Sequence, residues 1–150
     1  MIAVFLELGN KYDITCYLNG DNFDTQEEYD KRCDALEMVN DLYGNNPLVF
    51  SRYKAKEFGD CDTCIMYRLF DCAACALEDG YDCFTTSLTV SPHKNTALVN
   101  RLGQEVAAEV GVPFIEMDLK ANGGFQRTVQ ISKQLGLYRQ NYCGCKKFKQ

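Results

Sequence analysis

The sequence predicts an α/β fold with a mostly parallel sheet and helices on both faces. Short apolar runs alternate with longer stretches of helical character, and Gly, Asn, Asp or Pro residues bound the short runs. Such alternation is typical of parallel strands covered by helices. The 150 residues contain no repeat, linker or low-complexity stretch, so we expect residues 1–150 to form a single domain.

The predicted strands are short and rich in β-branched or aromatic side chains. They lie at residues 14–18, 48–50, 83–90 and 112–117. Residues 2–8 resemble the end of a helix that leads into the first of these strands. Because a parallel α/β domain usually opens with a strand, we expect that the first strand of the fold is missing from this chain.

The predicted helices carry recognisable end signals. Thr25 begins a capping box with Glu28, which predicts a helix to about residue 42. Asn95 can cap a second helix that runs to about residue 110 and is closed by Gly111. A last helical stretch covers residues 122–136.

Charge is distributed unevenly along the chain. The net charge is −5, which by itself argues against a nucleic-acid partner. Residues 119–150, however, carry seven basic residues and no acidic one. This cationic segment is either a basic surface that packs against the acidic remainder or a surface that faces phosphate groups.

Nine cysteines without a secretory leader indicate a reducing compartment. The apolar start of the chain is too short for a signal sequence or a membrane span. We therefore expect a cytoplasmic protein whose thiols bind metal or react, and no disulfide scaffold.

The first chemical signal is the pair Cys61 and Cys64. Three residues apart on a helix, the two sulfurs point the same way and can hold one metal or two corners of a cluster. Arg68, Cys72 and Cys75 continue the same helical stripe, which places Cys75 about 20 Å from Cys61. We expect core packing for Cys72 and Cys75, and likewise for three isolated cysteines, Cys16, Cys33 and Cys83.

The second signal is Cys143-Gly144-Cys145. A disulfide across one residue closes a strained and easily reduced ring, and basic residues nearby favour a reactive thiolate. Alternatively, both sulfurs complete a four-thiolate zinc site with Cys61 and Cys64.

A polar loop forms a third candidate site. Residues 85–87 and 91–95 follow a predicted strand and lead into a helix, which is where α/β proteins bind phosphate groups. Lys94 suits that role. His93, the only histidine, fits a plain loop residue better than a general acid.

Several motifs follow one another along the chain: Cys61 with Cys64 and Tyr67-Arg68-Leu69, Phe84 to Leu88, Ser91 to Asn95, Asp118 to Lys120, and Leu137 to Cys145. Together these motifs resemble the QueH family of epoxyqueuosine reductases. The resemblance covers nearly the whole chain, with weaker matches at Asn22-Phe23 and at Glu28-Tyr29 with Arg32.

The resemblance implies reduction of the epoxide of epoxyqueuosine in tRNA, the last step of queuosine tRNA modification. It implies a nucleotide α-hydrolase-like (HUP-like) fold, a [4Fe-4S] cluster with Cys61 and Cys64 among its ligands, and a redox pair of Cys143 and Cys145. The oxygen that leaves the epoxide needs an acid, for which a second metal ion such as iron is a candidate. Arg68, Lys94 and Arg139 are the residues we expect to contact the tRNA carrying epoxyqueuosine.

The chain also departs from the family pattern. By the resemblance, Ala3-Val4 corresponds to the residues just after an N-terminal Cys-Cys segment that supplies two cluster ligands in the family. We therefore expect two ligands to be missing here, either because the start is misassigned or because the protein is a truncated relative. Lys120 stands where the family usually has arginine, and His93 where it usually has an aromatic residue.

Two other function classes are compatible with the residues. A zinc-stabilised, non-catalytic RNA- or nucleotide-binding module would use Cys61, Cys64, Cys143 and Cys145 as a structural site. A general thiol oxidoreductase would reduce disulfides with Cys61 and Cys64, although their position does not match a thioredoxin pattern.

Overall fold

The computed structural model describes residues 1–21, 23–54, 58–140, 142–143 and 145, and these form two compact units. One unit comprises Met1–Glu57 and Gln126–Gln150, and the other comprises Phe58–Phe125. The fold class is α/β, as predicted, with parallel strand pairing. That residues 1–150 form a single domain stays a prediction.

The first unit contains the parallel strand pair. Helix α1 (Ile2–Leu8) leads to strand β1 (Cys16–Leu18), helix α2 (Gln26–Tyr43) and strand β2 (Leu48–Phe50). β1 pairs with β2 in the register Cys16 to Leu48, and a bridge between Asp21 and Lys54 extends the pairing. The helix–strand–helix–strand order follows the sequence prediction.

Local signals set the ends of α2. The Thr25 hydroxyl accepts a hydrogen bond from the Glu28 backbone N–H at 3.1 Å, which confirms the predicted N-cap. Gly44 follows the last turn with φ of +131°, a conformation that only glycine adopts easily.

Apolar side chains from α1, β1 and α2 form the core of this unit. The buried members are Ile2, Phe5, Cys16, Leu36 and Val39. Cys16 is 1% exposed, which confirms that it is a core residue, and burial raises the pKa of its thiol to about 11.

The second unit is built on two helices, α3 (Cys61–Glu78) and α4 (Thr96–Val110). They pack around a core that includes Leu69, Ala73, Val99 and Phe114. Cys72 packs against this core, as predicted, and burial raises the pKa of its thiol to about 11.

Three cysteines that we expected in a core lie outside both core clusters. Cys33 in the first unit and Cys75 and Cys83 in the second are half-buried. Burial raises the pKa of each thiol, and neighbouring carboxylates add to the effect. They are partly covered surface thiols.

The helix ends of α4 match the sequence signals. The Asn95 side chain accepts from the Leu98 N–H at 3.0 Å, and Gly111 ends the helix in the left-handed conformation at φ of +89°. A 3-10 turn at Ala121–Gly123 then precedes helix α5 (Gly124–Leu135), close to the predicted stretch of residues 122–136.

The predicted strands at residues 83–90 and 112–117 are wrong. In place of a strand ladder, a single parallel bridge joins Phe84 to Phe114, and Leu88–Val90 form a 3-10 turn. The Thr86 hydroxyl accepts from the Leu88 N–H at 3.2 Å, which bends the chain. Local side-chain bonds therefore replace the ladder that the sequence pattern suggested.

Within the described residues, no helix combines the length and apolar character needed to cross a membrane.

Candidate functional site

Cys61 and Cys64 occupy the first turn of α3. Asp60 caps this turn: its carboxylate accepts from the Thr63 N–H at 2.7 Å, and its carbonyl accepts from the Cys64 N–H at 3.1 Å. Both cysteines are half-buried. The cap thus fixes the backbone that carries two thiols on one helical face, as the spacing predicted.

Arg68 lies one turn further along α3 and contacts the second thiol. Its Nε donates to Cys64 Sγ at 3.4 Å. The predicted stripe of Cys61, Cys64 and Arg68 is therefore one continuous helical face. The guanidinium gives this sulfur a positively charged hydrogen-bond donor.

The described part of the chain places no further potential metal ligand beside this pair. Among the residues described, no group of three or more His, Cys, Asp or Glu side chains is placed to hold a metal ion. All nine cysteines are described, and each is a thiol, not half of a disulfide.

Cys143 and Cys145 lie in the first unit and contact each other. Both are half-buried, and the Cys145 backbone N–H donates to Cys143 Sγ at 3.4 Å. This contact places the backbone of one cysteine against the sulfur of the other. Gly144 and the lysines at 146, 147 and 149, which entered the sequence argument, lie outside the described residues.

An ion pair on α2 holds the segment that carries these thiols. The Arg32 guanidinium donates to the Tyr142 carbonyl at 2.6 Å and to the Cys143 carbonyl at 2.8 Å. It also pairs with the Glu28 carboxylate at 3.0 Å. The two side chains are 11% and 8% exposed, so the pair is largely shielded from water.

Two tyrosines of the same segment bind carboxylates. The Tyr138 hydroxyl donates to both Glu28 carboxylate oxygens at 2.6 Å, and the Tyr142 hydroxyl donates to Asp24 at 2.7 Å. Burial, followed by the bond to Glu28, raises the pKa of Tyr138 to about 12. Burial and the bond to Asp24 raise the pKa of Tyr142 as well, so both phenols stay protonated donors at neutral pH.

Aromatic contacts complete this arrangement, which we call the Arg32 clamp: Asp24, Glu28, Arg32, Tyr138 and Tyr142. The Arg32 guanidinium lies 5.0 Å from the ring centre of Phe23 and 5.6 Å from that of Tyr142. The clamp joins the N-terminal half of α2 to the residues around Cys143.

The family model for epoxyqueuosine reductase QueH matches residues 2–149 of this chain. The chain belongs to this family. It is a family of oxidoreductases, in agreement with the predicted enzyme class.

Curated QueH relatives support the assignment. The chain is 30% identical to the epoxyqueuosine reductase QueH of Thermotoga maritima, over 89% of this chain and 78% of the relative. It is 32% identical to the QueH of Streptococcus pyogenes serotype M1, over 89% of this chain and 60% of that protein. The Staphylococcus epidermidis QueH is 30% identical over 93% of this chain and 68% of its own length.

The two remaining residues that we predict to contact tRNA, Arg139 and Lys94, lie in different units. Arg139 is exposed, and in the first unit it directly follows Tyr138 of the clamp. Lys94 is half-buried in the loop before α4, and its carbonyl accepts from Lys120 Nζ at 2.7 Å. Lys120 also donates to the Thr96 hydroxyl at 2.9 Å, so this lysine braces the loop. The tRNA-binding roles of Arg68, Lys94 and Arg139 stay predictions.

The polar loop uses several of its hydroxyls internally. Thr85 donates to the Ile115 carbonyl at 2.8 Å, and the Ser91 hydroxyl accepts from the His93 N–H at 3.2 Å. His93 is exposed in this turn, which fits the predicted loop residue. These bonds shape the loop around Lys94.

Sequence reasoning missed the role of Glu28 and Arg32. Glu28 was assigned to a capping box, and Arg32 entered only as a weak family match. The available signal was their i, i+4 spacing on α2, which is typical of a helical ion pair. The spacing could not show that the pair binds a segment 110 residues further along the chain.

Proposed function

We propose that this chain reduces the epoxide of epoxyqueuosine in tRNA to the alkene of queuosine, with Cys143 and Cys145 as its redox pair. The match to the QueH family over residues 2–149 carries this proposal. The two thiol pairs, and the contact between Cys143 and Cys145, support it.

The reaction balances with one dithiol per turnover. An epoxide that becomes an alkene takes up two electrons and two protons and releases its oxygen as water. Two thiols that become a disulfide release the same two electrons and two protons. An electron donor must then return the disulfide to the dithiol before the next turnover.

Cys61 and Cys64 fit two corners of a [4Fe-4S] cluster. Their spacing on the first turn of α3 suits adjacent cluster ligands, and Arg68 adds a donor to one sulfur. The remaining ligands would come from outside the described residues, since no third side chain joins the pair there. Such a cluster supplies single-electron transfer when bound.

The tRNA would be held by cationic side chains. Arg68, Lys94 and Arg139 are proposed to contact phosphates or the modified base, and the basic segment 119–150 adds sequence-independent attraction. Bases of an anticodon loop are accessible for such contacts because they are not paired.

An anaerobic turnover assay tests the proposal. The chain is incubated with a chemical reductant and tRNA that carries epoxyqueuosine, and mass spectrometry of the nucleosides detects a product that lacks one oxygen atom. We expect product with the wild type and with the control variant Cys83→Ala, and loss of at least 90% of it with Cys143→Ala. Intact turnover by Cys143→Ala would overturn the dithiol role.

Metal analysis on the same preparations tests the cluster. We expect iron and sulfide in equal amounts, about four of each per chain. Both should be lost in Cys61→Ser and in Cys64→Ser. One tightly bound zinc per chain without turnover would instead identify a structural, non-catalytic RNA-binding module.

A further inference from the structure

We infer that Arg32 is a positioning residue for the Cys143–Cys145 pair and that it stabilises the dithiol against the disulfide. This inference rests on the proposed redox role of the pair. It assigns a task to a buried ion pair that the proposed chemistry does not otherwise use.

Arg32 binds the backbone beside and within the cysteine pair. Arg32 donates to the carbonyls of two successive residues, Tyr142 and Cys143, and the second of these belongs to the redox pair itself. A planar guanidinium with donors in a fixed fork holds both carbonyl oxygens in one orientation. The backbone on one side of the pair is thereby fixed.

Arg32 is itself held in place by Glu28. Its Nε donates to Glu28 at 3.1 Å, and Glu28 is held in turn by Tyr138 at 2.6 Å. Both members of the ion pair are largely buried, so water competes little for these bonds. The clamp is therefore rigid enough to transmit a constraint to the cysteines.

The contacts of Arg32 belong to the dithiol form of the pair. They are formed while both cysteines are thiols and the Cys145 N–H donates to Cys143 Sγ. Closing a disulfide across one intervening residue requires the backbone around both cysteines to turn into a tight ring. A carbonyl of Cys143 that is bound to Arg32 resists this rotation, so the clamp favours the dithiol.

The test measures the dithiol–disulfide equilibrium of this pair directly. The protein is equilibrated in buffers of reduced and oxidised glutathione, where oxidised glutathione takes up the two electrons and becomes two thiols. Remaining thiols are alkylated, and trypsin then cuts after Arg139 and Lys146. The peptide of residues 140–146 contains Cys143 and Cys145 as its only cysteines, so its mass reports their state alone.

Arg32→Lys is the informative variant because it keeps a positive charge beside Glu28 but loses the fork. We expect its equilibrium constant for disulfide formation to rise about tenfold, which is about 30 mV for a two-electron couple. Tyr142→Phe, which removes the bond to Asp24, should shift it about threefold in the same direction. Arg101→Lys, in an exposed pair with Glu105 on α4, is the matched control and should not shift it.

The possible outcomes separate the inference from the function it depends on. The positioning role would be overturned if the glutathione titrations of the wild type, Arg32→Lys and Tyr142→Phe had equal midpoints, or if the variants shifted toward the dithiol. Either result would leave the redox role standing. If no buffer produced the disulfide in the wild type, the redox role would fall and the inference with it. Circular dichroism checks folding, and Tyr142→Phe carries the test if Arg32→Lys unfolds.

Discussion

At the level of single residues, the Glu28 side chain contributes to stability as the partner of a buried charge. Its carboxylate accepts from Arg32 and from Tyr138, and it therefore compensates a guanidinium that is only 11% exposed. The neighbouring Glu27 forms a pair of the same spacing with Lys31, but there the side chains are 79% and 50% exposed. The two adjacent residues thus provide a buried and an exposed ion pair on one helix.

We predict that Glu28→Gln lowers the free energy of unfolding by about 3 kcal/mol, because it leaves the Arg32 charge buried without its partner. Glu27→Gln is the matched control, since a screened surface pair contributes less than about 1 kcal/mol. Urea denaturation of the three proteins gives both values. Equal losses in the two variants would show that the Glu28–Arg32 pair is not shielded from water.

At the level of elements, the packing of Phe114 against α4 depends on one glycine. Gly103 lies on the buried face of α4, where a Cβ atom would overlap the Phe114 ring. The absence of a side chain at this position lets the aromatic ring pack directly against the helix backbone. That packing places Phe114 beside Phe84, with ring centres 5.1 Å apart.

Replacement of this glycine should therefore strain the core. We predict that Gly103→Ala destabilises the protein by about 1–3 kcal/mol, although alanine is the better helix former, because the Phe114 ring must move. Gly59→Ala is a suitable control, since a Cβ there meets no atom within 4 Å. Thermal denaturation of both variants checks this, and a stabilised Gly103→Ala would mean that the ring adjusts without strain.

The elements that could be predicted are those with short-range signals. Thr25, Asn95 and Gly111 act on backbone groups within four residues, so the sequence around them was sufficient. The segments at residues 83–90 and 112–117 were mispredicted because Thr85 and Thr86 bind backbone groups that hydropathy patterns do not report.

The candidate site divides in the same way. The helical spacing predicted that Cys61, Cys64 and Arg68 share one face of α3, and the contact between Arg68 and Cys64 agrees with it. The Arg32 clamp depends on hydrogen bonds between residues more than 100 positions apart. Contacts of that range depend on the tertiary fold, which a spacing argument along one helix cannot reach.

For the whole molecule, the attraction of a nucleic acid depends more on the distribution of charge along the chain than on the net charge. The chain carries 21 acidic and 16 basic residues, yet residues 119–150 include seven basic and no acidic ones. In general, a net negative field repels a nucleic acid and a basic segment attracts it. If the segment binds phosphates, removal of its charges should change how affinity depends on salt, and removal of equal charge elsewhere should not.

We predict this difference for two triple variants with the same net charge. In the first variant, Gln replaces Lys146, Lys147 and Lys149. The slope of log affinity for tRNA against log salt concentration should decrease in magnitude by about 0.7–0.9 for each lost phosphate contact. In the second variant, Gln replaces Lys11, Lys31 and Lys54, which removes three exposed charges from the acidic part of the chain. This variant should leave the slope unchanged. Filter binding at several salt concentrations measures both slopes. Because net charge falls equally in the two variants, equal slopes would assign tRNA attraction to the overall charge and remove the basis for a phosphate-binding segment.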